Sequence, residues 1–182
     1  MKKSSSKNLI STLITGALLV TGNIAMAAND GDLGEQSVGD LTVRAIINPA
    51  VQITKLQDID LNIDIDTAAG TASGRSGTSA ACIYNSNGVD YNLKASTAEG
   101  SFTLTNSTAD SIRYSVRVDD QSGSNFIAQP HGTQVAKTNA SNSLDCNGGT
   151  NATIQVNANQ ADVIAAGAGV FSSILVLTVE AI

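Results

Sequence analysis

A chain of 182 residues with 10 basic and 16 acidic side chains, one histidine and no tryptophan is poor in the groups that move protons, attack carbonyls or hold metals. Its acidic balance repels nucleic acid and anionic lipid head groups. The length allows one domain with a real core and is short for two. A non-enzymatic, single-domain protein is therefore expected.

The first 27 residues follow the order of a secretory signal peptide: Lys2, Lys3 and Lys7 at the start, an apolar run from Leu9 to Val20, then the small-residue signature Ala25, Met26, Ala27. The run is shorter than the ~20 residues that a bilayer requires. The polar Ala28 to Gly31 that follow make a poor membrane flank. Cleavage after Ala27 is expected, leaving residues 28–182 with 7 basic against 16 acidic side chains, a net charge of −9. Export also makes the two cysteines, Cys82 and Cys146, an expected disulfide, because an even pair in an oxidising compartment normally joins. No metal is expected: two sulfurs and the lone His131 do not make a four-ligand zinc site.

Residues 28–48 read as an N-terminal extension ahead of the body, 49–182. Its first part is polar; then Leu41, Val43, Ala45 and Ile47 alternate ahead of Pro49, the pattern of a strand with one apolar face, which alone fits an ordinary first strand of the sandwich as well as a strand paired outside its own domain. Next, Asp58, Asp60, Asn62, Asp64 and Asp66 alternate with Ile59, Leu61, Ile63 and Ile65. Spacing of oxygen ligands invites comparison with a calcium loop, but Ile63 stands where the turn glycine belongs and Ala69 where the bidentate glutamate belongs. A strand with an apolar inner face and a carboxylate outer face fits better.

The body continues with period-two segments and almost none of the helical period near 3.6. Tyr91, Leu93 and Ala95 form one, and Phe102 with Leu104 another. Ile112, Tyr114, Val116 and Val118 alternate with Arg113, Ser115 and Arg117. Ile154, Val156 and Ala158 follow, and Leu175, Leu177, Val179 and Ala181 close the chain. Turn formers separate them, notably Asn87–Gly88, Glu99–Gly100, Asp119–Gly123 and Asn147–Gly149. Thr67–Ser79 and Gln129–Ser143 read as loops, and Gln160–Ala168 as at most one helical turn before Gly167 and Gly169. Short strands at this spacing predict an all-β sandwich. His131, between Pro130 and Gly132, reads as a surface histidine. The triplets at Asn106, Asn139 and Asn151 match a glycan acceptor pattern, but Asn, Ser and Thr are abundant and the signal looks bacterial, so they read as coincidence.

The stretch Leu41 to Ala50 resembles the N-terminal extension of chaperone–usher pilins, particularly the colonisation-factor branch. Gly169, fourteenth from the C-terminus, followed by the alternating segment Phe171 to Ile182, is similar to the terminal strand of such pilins, with Ala181 at the position where a tyrosine is customary. Cys82 to Leu93 and Ile112 to Val116 resemble the spore-coat-protein-U-like pilins of the archaic clade. The resemblance implies an immunoglobulin-like sandwich lacking its last strand, completed by donor-strand exchange with a neighbour's Leu41, Val43, Ala45 and Ile47. It implies a periplasmic chaperone, an outer-membrane usher and other copies of the subunit as partners, no cofactor, and passage through the periplasm to a fimbrium at the cell surface serving adhesion or biofilm formation. The alternative is a secreted immunoglobulin-like carbohydrate- or protein-binding module, which should cluster exposed aromatics at loops. Only Tyr84, Tyr91 and Phe126 are placed for that.

Overall fold

The computed structural model describes residues 30–123 and 125–182. The signal peptide reading, residues 1–27, lies outside the described residues. The chain divides into Met1–Ile46 and Ile47–Ile182. In the first unit, residues 30–46 are all exposed and hold no helix and no strand beyond a single bridge at Asp40.

The second unit is an all-β sandwich with one helix. Its strands in chain order are β1 (Val51–Thr54), β2 (Asp64–Asp66), β3 (Thr71–Ser73), β4 (Ser76–Asn85), β5 (Tyr91–Ser96), β6 (Thr103–Thr105), β7 (Ser111–Asp119), β8 (Ile127–Ala128), β9 (Gln134–Lys137), β10 (Ala152–Ala158) and β11 (Val176–Ala181). Helix α1 (Gln160–Ala166) lies between the last two strands. One sheet runs β1-β4-β10-β7-β6, with β8 also on β7; the other runs β11-β5-β9, and β2 pairs with β3. All these ladders are antiparallel.

Strict alternation produces the central pair. On β7, Ile112, Tyr114, Val116 and Val118 are buried while Arg113, Ser115 and Arg117 are exposed. On β10, Ile154 and Val156 are buried opposite Val118 and Val116. Tyr91, Leu93 and Ala95 of β5 supply the other layer, paired with Ala181, Val179 and Leu177 of β11. Each fully buried Ile, Leu or Val contributes about 1.5–3 kcal/mol.

Cys82 of β4 is bonded to Cys146 in a short 3-10 turn, Cys146–Gly148. The bridge spans 64 positions, which on the chain-entropy model stabilises the fold by roughly 4 kcal/mol. Around it, the Lys55 ammonium donates to the carbonyls of Asp145 (2.8 Å) and Gly149 (2.7 Å). Asn151 extends the β4 edge with its side chain: Oδ1 accepts from Ile83 N at 2.8 Å, and Nδ2 donates to the carbonyls of Ile83 (2.9 Å) and Asn139 (2.8 Å). That amide is fully engaged.

The two stretches read as loops are not loops throughout. Thr67–Ser79 contains β3 and the first part of β4, and Gln129–Ser143 contains β9. The small residues of β4 have a packing reason. A Cβ on Gly77 would lie 2.5 Å from Ile59 Cγ2 and 3.0 Å from Leu61 Cδ2, so the residue must be small for the preceding segment to cross it. The acidic run keeps its predicted facing, with Ile59, Leu61, Ile63 and Ile65 packed on the core and Asp58, Asp60, Asn62, Asp64 and Asp66 exposed. Only Asp64–Asp66 is laddered, however.

Helix α1 is longer than a single turn. The Asn159 side chain caps it by accepting from Asp162 N at 3.2 Å, and Gly167 ends it at φ 72°. Val163 is buried on its inner face. Arg113 clamps the helix to β7 through Asp162, with Nε–Oδ2 2.6 Å and Nη2–Oδ1 2.8 Å.

Candidate interaction groove

An open groove of about 1200 Å³ lies along the sandwich. Its first wall is the segment from Leu56 to Ile65, and its second runs from Gly167 to Leu177. Leu104, Ile112, Tyr114, Ile154, Val156 and Val163 form its floor. Both walls carry backbone that the sheets leave unused. β11 is the end strand of its sheet, paired only with β5 among the described residues. Residues 55–63 belong to no ladder. On the second wall, Ser172 is fixed by a reciprocal pair of backbone hydrogen bonds to Thr105, each 3.0 Å. Unpaired N–H and C=O groups beside an apolar floor form a template for another strand.

The predicted C-terminal residues divide accordingly. Gly169, Phe171, Leu175 and Leu177 line the groove, and Val179 packs on the core from β11. A Cβ on Gly169 would lie 3.1 Å from the Phe171 ring. Apolar side chains also crown the rim: Val170 is 90% exposed and Ile174 78%. The predicted N-terminal residues Leu41, Val43, Ala45 and Ile47 are all exposed, Val43 by 85% and Ile47 by 91%, and none lies in a strand.

The electrostatics of the groove are one-sided. Asp58, Asp60 and Asp64 line it, and no cationic side chain does so among the described residues. At the floor, burial raises the Tyr114 phenol above its ordinary value, partly opposed by a hydrogen bond with Ser173 and reinforced by the charge of Glu99.

Other candidate residues lie outside the groove lining. His131 is half-buried and structural, which corrects the surface reading. Its Nε2 accepts from Thr97 N at 3.0 Å and its ring meets Phe102 edge-on at 5.0 Å. The neighbouring backbone, Gly132 N to Ala95 O at 2.8 Å, docks the loop. Tyr91 is not an exposed loop aromatic either, being 1% exposed in β5, and burial raises its phenol far above the ordinary value, with the Asp120 charge adding to the effect.

Sequence reasoning missed two buried opposite charges, Lys137 and Asp120, that do not bond to each other. Lys137 of β9 is 4% exposed and its Nζ has no hydrogen-bond partner among the described residues. Burial lowers its pKa against the opposing charges of Asp120 and Asp119. Burial alone would raise Asp120, but hydrogen bonds from Ser122 and from the Thr138 amide, with the Lys137 charge, leave it below the usual carboxylate value. A polar stretch of sequence carries no signal for such burial.

No family model matches this sequence, and no curated protein matches it. Among solved structures, it is similar to a chain described as belonging to a chaperone–tip adhesin complex vital for activation of CFA/I fimbriae biogenesis, at 16% identity and a TM-score of 0.49. The match covers 71% of this chain and 40% of that one. No helix among the described residues is long and apolar enough to cross a membrane.

Proposed function

We propose that this chain is a structural subunit of a surface fimbria, assembled when the 41–47 segment of one copy fills the groove of the next. The observation that supports the reading most is complementarity between two unsatisfied parts: a groove with unused backbone on both walls, and an exposed segment alternating apolar residues at Leu41, Val43, Ala45 and Ile47. An inserted strand gains backbone hydrogen bonds from the walls and places alternate side chains on the floor. Burying Leu41, Val43 and Ile47 contributes about 5–9 kcal/mol before the ladder bonds. Because donor and acceptor are different surfaces, the contact is heterologous and propagates into a fibre.

Until a neighbour arrives, an open apolar groove is an aggregation hazard. The reading therefore includes a periplasmic chaperone that covers it and an outer-membrane usher that directs the exchange, with the polymer at the cell surface serving adhesion or biofilm formation. It assigns no catalytic chemistry and no cofactor. Val43→Asp tests it, because burying an unpaired carboxylate costs several kcal/mol. Polymers are expected to vanish while the chaperone-bound monomer persists on co-purification. Loss of the monomeric complex as well counts against the reading, since it means Val43 belongs to the subunit's own core.

A further inference from the structure

Resting on the strand-exchange reading, we propose that Arg44 of the incoming segment pairs with the carboxylates of the Asp58–Asp64 wall, so that the charge on that wall selects the donor and strengthens its binding. If Leu41, Val43, Ala45 and Ile47 face the floor, Thr42, Arg44 and Ile46 must face outward, because successive residues of a strand point to opposite sides. Arg44 is the only cationic residue between Lys7 and Lys55. The first wall presents Asp58, Asp60, Asn62 and Asp64 outward at two-residue intervals, all exposed and three of the four anionic. Neighbouring strands lie about 4.8 Å apart and same-face side chains touch. A long guanidinium on that face therefore reaches a carboxylate in either strand direction, and after a slip of two residues at most.

The second wall cannot substitute. Its outward residues beside the groove are Ser172, Ile174 and Val176, all exposed and uncharged. Those apolar side chains instead suit Ile46, itself 78% exposed and two positions from Arg44 on the same outward face. The outward face of the segment thus carries one cation and one apolar residue, and the two walls carry one complement each. An acidic groove with a single cation in its donor also disfavours acidic strands.

The test uses the full chain carrying Val43→Asp as acceptor, so that it cannot polymerise through its own segment, and a synthetic peptide of residues 41–49 with both ends capped, in which Arg44 is the sole charge. Binding is measured by titration at low and high salt. The unmodified peptide is expected to bind, with affinity falling as salt screens the pair. Arg44→Gln in the peptide is expected to weaken binding about fivefold at low salt and to remove most of the salt dependence. On an acceptor that also carries Asp58→Asn, Asp60→Asn and Asp64→Asn, the unmodified peptide is expected to bind as weakly as Arg44→Gln does on the acidic wall. There Arg44→Gln should cost nothing further. If Arg44→Gln is without effect, or weakens binding equally on both acceptors, the pairing is wrong while the strand-exchange reading stands. Equal binding of a scrambled peptide of the same composition shows that the wall reads charge alone, which also overturns it. Failure of the unmodified peptide to bind at any salt overturns the strand-exchange reading itself. Should the triple Asn variant fail to fold, the salt series on the acidic wall decides, since only a pair with Arg44 makes the salt slope depend on that residue.

Discussion

Gly77 lies beneath Ile59 so closely that a Cβ added to it would stand 2.5 Å from Ile59 Cγ2. The backbone of Gly77 does not need positive φ, so the constraint is space alone. Gly77→Val is expected to lift Ile59 and Leu61 off β4 and to destabilise the domain by about 1–3 kcal/mol, the usual cost of overpacking. Gly77→Ala should cost less. Denaturant unfolding measures both, and full stability of Gly77→Val means the wall is not seated on β4 as described.

That contact also explains what was legible in the sequence. β7 and β10 were readable because both alternate without interruption, and Ile112 to Val118 bury every second residue as the pattern requires. The first part of β4 was not, since a strand crossed by Ile59 and Leu61 must be small at Gly77, and Gly, Ala, Ser and Thr read as loop. The facing of the acidic run was visible, whereas its missing ladder was not: unpaired backbone leaves no mark on side-chain composition. For the same reason Leu175 and Leu177 could be named, but not the open edge beside them. Ile112 could be assigned to a buried face, yet its meeting with Val163 depends on where α1 docks, and period-two patterning carries no information on that.

The Cys82–Cys146 bridge fastens the 3-10 turn to β4, close to the Lys55 contacts with Asp145 and Gly149. Cys82→Ser with Cys146→Ser is expected to lower unfolding free energy by roughly 4 kcal/mol. Alkylation under non-reducing conditions followed by mass spectrometry should find no free thiol in the natural chain. Two labelled thiols in the folded protein would refute the bridge.

The Arg113–Asp162 clamp gives an acid-sensitive attachment of α1. Hydrogen bonding to Arg113, with its positive charge, holds the Asp162 carboxyl at about 2. A depressed folded-state pKa contributes stability at pH above the unfolded value of about 3.9, and that contribution is lost as pH falls toward the folded value. The protection factor of the Val163 amide, its exchange rate referred to that of the unfolded chain at the same pH, is therefore expected to fall between about pH 4 and pH 2 more in the natural chain than in Asp162→Asn. The two should converge near the acid end. Identical pH profiles would mean that the clamp does not hold the helix in solution.

His131 is bonded to Thr97 N and packed on Phe102, away from the groove lining. His131→Ala is expected to cost about 1 kcal/mol through the lost acceptor, seen as a melting temperature lower by a few degrees. Polymer formation should continue at normal yield once the subunit is folded. Loss of assembly in a folded His131→Ala subunit would reveal a role that its hydrogen bonds do not explain.

The strand-exchange reading makes a phase prediction that charge effects cannot imitate, because it uses neutral substitutions. Only one parity of the 41–47 segment faces the groove floor, so asparagine should be costly at Val43 and tolerated at Thr42. Val43→Asn forfeits the burial of an apolar side chain, about 1.5–3 kcal/mol, and places an amide where Ile154 and Val156 offer no partner, about 1–3 kcal/mol more. A combined loss near 3 kcal/mol or above corresponds to at least about a hundredfold weaker contact. Thr42→Asn keeps a polar group in water and should assemble as the natural chain does. Ile46→Asn should lie between the two, since it loses only contact with the rim at Ile174 and Val176. Polymer length and dissociation rate in denaturant, measured for the three variants side by side, resolve the order. An equal effect at Thr42 and Val43 means that the segment binds without a defined face, and a larger effect at Thr42 means that the opposite parity enters the groove, leaving Leu41, Val43, Ala45 and Ile47 on the outside.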